Sequence, residues 1–352
     1  MTMERGFREL SGRELARQLR AALAERAAAL AKDGREPRLA VVTATDDGGS
    51  AAYVRSIANT AARNGIACDV ARTTTRAGIA ATITQLADDP EVHGIILQTP
   101  LPEGADLADL ATAIPPAKDV DGASPESIGR LVAGLPAVAP ATAEAVLALL
   151  DHYGVELRGR HAVVVGRSVV VGKPTAHLLL DRNATVTICH SRTADLPAIT
   201  RQADVLVVAA GRAGLIGPGH VSHGTVVIDV GTNTTEDGSL AGDVDPAVAG
   251  VAAALTPVPG GVGPVTTALL LQHVVQAASL PKAGRCYLRQ DVSVCRFYRA
   301  RAGGFSKNEH HDRTFFFPLP RKFHWVGPIR RKRVRRRRRV LGQSGGDVRR
   351  RR

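Results

Sequence analysis

Short apolar runs alternate with segments of helical periodicity along the first 281 residues of the chain. The runs include "RLAVVTA", "HGIILQ", "RHAVVVG" and "ADVLVVAAG". Apolar runs of this length, separated by amphipathic helices, are typical of parallel strands that are joined by crossover helices. Ligands of such sheets bind beyond the carboxyl ends of the strands. The alternation therefore predicts an α/β fold with its functional site at that edge.

The predicted elements fall into two sets. The first set comprises a helix over about 11–31, the strand "RLAVVTA", a helix that contains Tyr53, the strand "IACDVAR", a helix over about 78–87 and the strand "HGIILQ". A helix over about 142–153 leads to the second set, "RHAVVVG", "ATVTICHS", "ADVLVVAAG" and "GTVVIDVG". About 280 residues suffice for two α/β lobes. The second set predicts a Rossmann-like lobe.

Residues 282–352 have a different composition from the rest of the chain. They hold 23 of the 46 Lys and Arg residues but 4 of the 33 acidic ones, so the first 281 residues carry a net charge of −6. Basic runs such as "RRKRVRRRRRV" bind polyanions non-specifically and are typical of disorder. We predict a disordered basic tail whose nucleic-acid affinity says little about the lobes. Translation in a shifted frame explains the tail equally well.

Cysteine usage and hydropathy exclude several classes of protein. Cys68 and Cys189 are the only cysteines before the tail, and their spacing suits neither a metal site nor a disulfide. The N-terminus lacks the apolar core of a signal peptide. The longest mostly apolar stretch, residues 131–150, is interrupted by two prolines and a glutamate. We therefore expect a cytoplasmic protein without a metal and without a membrane span.

Tyr53 is one of three aromatic residues among the first 281, with Phe7 and Tyr153. The core must consequently be built from Ala, Val, Leu and Ile, and an aromatic side chain is a rare choice. Ser50 is a predicted N-cap of the Tyr53 helix, and Gly65 is its predicted C′ stop. Residues four apart lie on the same side of a helix. We expect Ile57 to face whatever Tyr53 faces.

The segment "VVVGRSVVVGKP" has the features of a phosphate-binding turn between a strand and a helix. Gly166 and Gly172 allow backbone amides to approach a pyrophosphate at the start of the helix, where Pro174 is predicted at position N1. The pattern is one residue longer than GxGxxG. A tight turn without a ligand is an equally good explanation of the motif alone.

The end of the next predicted strand, "CHSRT", selects between the two nicotinamide cofactors. An NAD site places an acidic residue there for the ribose hydroxyl. Here Ser191 and Arg192 occupy the strand end and Arg167 lies in the preceding turn, so a 2′-phosphate would meet hydroxyl donors and positive charge. The sequence favours NADP, unless Arg192 is merely a solvated surface arginine.

Several motifs occur together and in order, and they carry a family resemblance over roughly residues 5–280. They are "SAAYV", "GIILQTPLP", "PAKDVDG", "VVVGRSVVVGKPTAHLLL", "ATVTICHSRT", "ADVLVVAAGR", "VVIDVGTN", "GDVD" and "TPVPGGVGPVTTALLL". The chain resembles the methylenetetrahydrofolate dehydrogenase/methenyltetrahydrofolate cyclohydrolase family, FolD. The resemblance implies a folate-binding catalytic domain at 1–139 with a returning helix at 264–281, an NADP-binding domain at 140–263, and a homodimer that acts on tetrahydrofolate derivatives in one-carbon metabolism.

The resemblance also implies a set of site residues. Those expected to contact NADP are Gly166, Arg167, Ser168, Gly172, Ser191, Arg192 and Thr232. Tyr53, Gln98 and Asp121 are expected in the folate cleft. The loop between the sites is expected to comprise Pro257, Gly260, Gly261 and Pro264. From the residues alone, Gln98 could equally be a polar residue of an edge strand and Asp121 a turn former.

The chain departs from the family pattern where the family has a lysine, four residues after the tyrosine. Ile57 occupies that position, and Arg55 points to another face of the helix. Two smaller departures, "PATAEA" and "ASPES", affect local positioning. Hydrolysis of the methenyl bridge needs proton transfer, whereas hydride transfer needs mainly positioning.

We therefore expect an NADP-dependent methylenetetrahydrofolate dehydrogenase with weak or absent cyclohydrolase activity. Two alternatives stay open at this point. One is a fully bifunctional enzyme that uses another group. The other is a protein of a different class, either a non-catalytic binder of folate or NADP or a nucleic-acid binder driven by its tail.

Overall fold

Two parallel sheets form the framework of the protein. The structure is a computed structural model, and it describes residues 7–45 and 48–280. Its strands are β1 (Arg8–Glu9), β2 (Arg38–Thr43), β3 (Ala67–Arg72), β4 (Gly94–Gln98), β5 (His161–Val165), β6 (Thr185–Cys189), β7 (Val205–Val208), β8 (Val226–Asp229), β9 (Asn233–Thr234), β10 (Leu240–Ala241) and β11 (Ala254–Leu255).

The α-helices of the described residues connect and cover these strands. They are α1 (Arg13–Lys32), α2 (Gly48–Arg63), α3 (Arg76–Asp88), α4 (Leu107–Ala111), α5 (Pro125–Val132), α6 (Ala141–His152), α7 (Gly172–Asp181), α8 (Leu196–Thr200) and α9 (Val262–Ser279). Both sheets belong to one compact unit of the chain.

The first sheet has the strand order β3-β2-β4, and both pairings are parallel. Side chains alternate between the faces of its central strand. Leu39 and Val41 pack with α1, α2 and α9 on one face. Ala40 and Val42 pack with α3 and α4 on the other. Because both faces of β2 are covered, its sequence is a continuous apolar run, as observed.

The second sheet has the order β1-β11-β8-β7-β5-β6, with every pairing parallel. The four predicted strands of the Rossmann-like lobe, β5 to β8, are neighbours in it, which confirms the predicted fold class. Strand β1 comes from the start of the chain, yet it pairs with β11.

Helix α9 joins the two cores. Its first half, with Val265 and Leu269, packs in the cluster of the second sheet. Its second half, with Leu271 and Val274, packs in the cluster of the first sheet. The helix also packs along both α1 and α6. A helix that is covered on so many sides must be apolar around most of its circumference, which explains the run "VTTALLL".

Two predicted helix starts were wrong. Helix α2 begins at Gly48, so Ser50 lies inside its first turn and is not the N-cap. Helix α7 begins at Gly172, so Pro174 is its third residue and not its first. A proline without an N–H is tolerated throughout the first turn, because those amides have no partner within the helix. The predicted stop at Gly65 is confirmed by its φ of 70°.

None of the described helices combines the length and the apolar composition that a bilayer crossing requires. The predicted basic tail, residues 282–352, lies outside the described residues.

Candidate active site

Two polar side chains meet the same carbonyl at the carboxyl edge of the first sheet. Gln98 ends β4 beside Thr43 of β2. Its Nε2 donates to the carbonyl oxygen of Thr99 at 2.8 Å, and Ser50 Oγ donates to that oxygen at 3.1 Å. This shared acceptor ties the first turn of α2 to the loop after β4. The structure thereby brings Gln98 close to the first turn of α2, and Tyr53 lies in the next turn of that helix.

Tyr53 and Asp121 interact electrostatically near this edge. The Tyr53 side chain is 36 % exposed, which is unusual for an aromatic residue and fits the wall of a cleft. Desolvation by the nearby protein, followed by the negative charge of Asp121, raises the pKa of Tyr53. The phenol therefore stays protonated at neutral pH and can donate a hydrogen bond.

A buried lysine anchors the loop that carries Asp121. Lys118 Nζ donates to three carbonyl oxygens at the end of α3, those of Leu86, Ala87 and Asp89, at 2.9, 2.7 and 2.6 Å. Carbonyls at a helix C-terminus lack partners within the helix and attract a cation. Lys118 is 3 % exposed, and its ammonium is therefore held away from the cleft.

Asp119 fixes the other side of the same loop. Its carboxylate accepts the N–H groups of Ala123 and Ser124, each at 3.0 Å, and the hydroxyl of Ser127 at 2.6 Å. Gly122 follows with a φ of 60°, and a Cβ there would meet the carbonyl oxygen of Val138 at 2.5 Å. The segment "KDVDG" is therefore a rigid support, and Asp121 is the member whose carboxylate interacts with Tyr53.

Asp121 titrates near neutrality. Burial and then the neighbouring Asp119 raise the pKa of its carboxyl group to about 7, against the lowering effects of His273 and the Ala141 N–H. A carboxyl group with this pKa can exchange a proton at physiological pH, and it accepts hydrogen bonds when ionised.

Ile57 does not line the cleft, so the expectation that it faces whatever Tyr53 faces was wrong. Its side chain is 0 % exposed and lies in the apolar cluster with Val41, Val54 and Val274. A step of four residues rotates a side chain by about 40° around the helix. That rotation carries Ile57 from the Tyr53 edge into the interface beneath the cleft.

The turn between β5 and α7 brings two backbone segments into close contact. Gly166 has a φ of 129°, and a Cβ there would collide with the carbonyl oxygen of Ala209. A Cβ on Gly172 would likewise collide with the carbonyl oxygen of Gly166. Ser168 Oγ accepts the Gly172 N–H at 3.2 Å. Glycines at both positions and a helix start fit the backbone cradle that a pyrophosphate requires.

The end of β6 lies against this turn. The Gly166 N–H donates to the carbonyl oxygen of Cys189 at 2.9 Å. The segment after Cys189 forms a tight turn, in which the His190 N–H donates to Thr193 Oγ1 at 2.8 Å. Ser191 and Arg192 project from the turn and are exposed, as are Arg167 and Ser168. The structure thus brings both basic side chains to the same edge as the glycine cradle.

Two buried carboxylates, which sequence reasoning missed, organise the neighbouring loops. Asp243 is 0 % exposed and accepts the N–H groups of Ala210, Gly211 and Arg212 at 2.6, 2.9 and 2.8 Å. Asp229 is 3 % exposed and accepts the N–H groups of Gly231, Asp243 and Val244 at 2.9, 3.0 and 3.0 Å.

These bonds fix the backbone at the carboxyl ends of β7 and β8. Thr232 directly follows Gly231 in this region and is exposed. Burial raises the pKa of Asp229 to about 6 although three N–H groups lower it. The signals in the sequence were the acidic residues that end "VVID" and begin "DVD".

The predicted loop at 257–264 connects the two halves of the chain. Gly260 has a φ of 109°, and its carbonyl accepts the Gly12 N–H at 2.8 Å. A Cβ on Gly261 would lie 2.6 Å from the carbonyl oxygen of Pro257, so only glycine fits. Pro264 lies in the first turn of α9. These contacts run to α1 and within the loop rather than to Tyr53 or Asp121.

Comparison with known proteins identifies the family. Residues 10–121 match the catalytic domain of tetrahydrofolate dehydrogenase/cyclohydrolase, and residues 140–282 match its NAD(P)-binding domain. A protein of Saccharopolyspora erythraea named "Bifunctional protein FolD 1" is 64 % identical over 275 residues, which cover 77 % of this chain and 94 % of the relative.

Solved structures agree with this assignment. The bifunctional FolD enzyme of Campylobacter jejuni is 39 % identical with a TM-score of 0.74, over 78 % of this chain and 99 % of that one. The Trypanosoma brucei methylenetetrahydrofolate dehydrogenase-cyclohydrolase, solved with NADP and an inhibitor, is 36 % identical with a TM-score of 0.72, over 76 % and 96 %. The resemblance found in the motifs is confirmed, and the chain belongs to the tetrahydrofolate dehydrogenase/cyclohydrolase family.

Proposed function

We propose that the protein is an NADP-dependent methylenetetrahydrofolate dehydrogenase whose cyclohydrolase activity is weak or absent. The observation that carries the proposal is the composition of the cleft. Tyr53 and Asp121 interact electrostatically there, while the position that the family pattern assigns to a lysine is Ile57, enclosed in the core. The family membership and the relatives named as bifunctional enzymes support the folate chemistry.

Tyr53, Asp121 and Gln98 would bind and orient the folate. A reduced pterin presents amino and ring N–H donors, which an ionised carboxylate accepts. The protonated Tyr53 phenol would donate a hydrogen bond from the opposite wall. The Gln98 amide is held at the same sheet edge by its hydrogen bond to the Thr99 carbonyl oxygen. Orientation is the main requirement of hydride transfer, because the product cation is stabilised by its own two nitrogens.

Gly166, Gly172 and the start of α7 would hold the pyrophosphate of NADP, and Ser191, Arg192 and Arg167 would hold its 2′-phosphate. NADP supplies the nicotinamide ring that accepts the hydride. Asp243 and Asp229 would hold the backbone of the loops after β7 and β8 in place beside that ring. Because each of these groups acts by position, the dehydrogenase step requires no general base from the protein.

Hydrolysis of the methenyl bridge makes a further demand, since water must attack and protons must move. A lysine beside Tyr53 would stabilise the developing charge. Among the described residues, the buried Lys118 cannot take that part, because its ammonium is engaged with the end of α3. Tyr53 is a weak acid, since its pKa is raised. The cleft therefore favours the dehydrogenase reaction over hydrolysis of the methenyl bridge.

The test is an assay of both reactions on one preparation of the full chain. NADPH formation from methylenetetrahydrofolate measures the dehydrogenase, and decay of added methenyltetrahydrofolate measures the cyclohydrolase. Decay close to that in buffer, together with active NADPH formation, is the expected result. Fast decay would establish the bifunctional alternative. Absence of NADPH formation would establish a non-catalytic binder.

The choice of NADP over NAD depends on Arg192. We expect Arg192→Ala to lower kcat/KM for NADP about tenfold, because an exposed charge-assisted contact with a phosphate contributes roughly 1.5 kcal/mol. The value for NAD should stay unchanged, since NAD lacks the phosphate. Arg26→Ala, which removes an exposed arginine of α1, is the control. Equal losses for the two cofactors would show that Arg192 does not select between them.

A further inference from the structure

His273 places a polar ring in an otherwise apolar part of the core. It lies on α9, and its side chain is 6 % exposed. Nδ1 is 2.8 Å from the carbonyl oxygen of Val120, and Nε2 is 2.9 Å from Glu144 Oε2 on α6. Val120 directly precedes Asp121. The ring therefore joins α6 to the loop that supports the folate cleft.

The identity of the two partners fixes the protons on the ring. A backbone carbonyl can only accept, so Nδ1 must carry a proton. An ionised carboxylate can also only accept, so Nε2 must carry one as well. The Glu144 side chain is 33 % exposed, so it reaches solvent from the edge of the core. With an ionised Glu144, this pair of acceptors calls for an imidazolium ion within the core.

Among the described residues, the helix α1 and strand β2 near this part of α9 contribute apolar side chains. The buried face of α1 presents Leu15, Leu23 and Ala27, and β2 contributes Leu39 and Val41. The charged groups that interact with the ring are Glu144 and Asp121, and Asp119 interacts electrostatically with Asp121. Burial alone would lower the pKa of His273, but Glu144, the Val120 carbonyl and Asp121 together raise it.

We propose that His273 is a positioning residue of the folate cleft: as an imidazolium paired with Glu144, it holds the Val120–Asp121 backbone and keeps the Asp121 carboxylate ionised for the pterin. The part that concerns the pterin rests on the proposed function. The charge of the ring and its effect on Asp121 do not.

The proposal predicts a direction of change with pH. The positive charge of His273 lowers the pKa of Asp121, which is about 7 with the charge in place. Loss of that charge must raise the pKa of Asp121 further. Because only the ionised carboxylate accepts hydrogen bonds from the pterin, the acid limb of kcat/KM for folate should move to higher pH.

Two substitutions separate charge from structure. In Glu144→Gln, the amide can donate to a neutral Nε2 while Nδ1 still donates to Val120, so both hydrogen bonds survive and only the charge is lost. His273→Gln removes the ring. His223→Gln, which changes an exposed histidine, is the matched control. Each variant is made in the full chain, and thermal unfolding checks that it folds.

We expect both variants to shift the acid limb of kcat/KM for folate upward by about one pH unit, which corresponds to a loss of about tenfold on the acid side. The loss should appear in KM, recover at higher pH and leave KM for NADP unchanged. An acid limb at the same pH in Glu144→Gln and the parent would overturn the proposal.

Nuclear magnetic resonance tests the charge without any need for activity. In the parent, both ring nitrogens of His273 should be protonated at neutral pH, and in Glu144→Gln only one. The Asp121 carboxyl carbon should titrate at higher pH in both variants than in the parent. A neutral His273 in the parent, or an unmoved Asp121 titration, would defeat the proposal. An inactive parent that passes these tests would count against the proposed function alone.

Discussion

Ile57→Lys should raise hydrolysis of methenyltetrahydrofolate by a factor on the order of 10², the lower end for a positioned acid or base. The position lies one turn beyond Tyr53, and a lysine stem is long enough to lie in the apolar interface while the ammonium reaches toward Tyr53 and Asp121. Dehydrogenase activity should change little, because hydride transfer does not use the cation.

The enclosure of Ile57 makes stability part of this experiment. Ile57 is fully buried against α9 and β2, so an ammonium that failed to reach the cleft would be buried without a partner and would destabilise the fold. Ile57→Met is the matched control, since it lengthens the side chain without charge. A folded Ile57→Lys protein with hydrolysis at the level of Ile57→Met would refute the assigned role of this position.

Asp243→Asn should cost roughly 1 to 3 kcal/mol of unfolding free energy. Each carboxylate oxygen of Asp243 accepts at least one backbone N–H, and Oδ2 accepts two, from Ala210 and Gly211. In asparagine one oxygen becomes an NH2 group, which cannot accept. Whichever way the amide turns, its NH2 group faces at least one N–H donor in place of the carboxylate oxygen that accepted it.

The same substitution should impair NADP binding, because the loop after β7 borders the nucleotide edge. KM for NADP should therefore rise well above that of the parent, while folate binding at the first sheet is preserved. Denaturant unfolding measures the loss of stability in Asp243→Asn. Asp181→Asn, a change at an exposed carboxylate, is the control. A stability equal to that of the control would mean that the loops do not depend on Asp243.

The strands could be predicted because burial on both faces requires continuous apolar runs. "RLAVVTA" and "HGIILQ" became β2 and β4 nearly as predicted. Helices α4 and α5 were not predicted. They have five and eight residues, too few for a clear period, although Asp106 and Ser124 were present as N-caps.

The candidate site could be predicted only where its motifs are local. Tyr53 and Asp121 are near enough to interact electrostatically, which fits motifs that end at one sheet edge. His273 and Glu144 are 129 residues apart, and nothing in an apolar helix indicates which side chain a histidine will find there. Ile57 was misplaced for a related reason, because the four-residue spacing gives a direction but not the neighbour, α9, that covers it.

The balance between the two reactions is tested most directly by a single experiment on the full chain with methylenetetrahydrofolate and NADP. NADPH and methenyltetrahydrofolate are followed together. We predict that the two appear in equal amounts and that methenyltetrahydrofolate then decays no faster than in buffer. NADPH formation without accumulation of methenyltetrahydrofolate, accompanied by 10-formyltetrahydrofolate, would contradict this account.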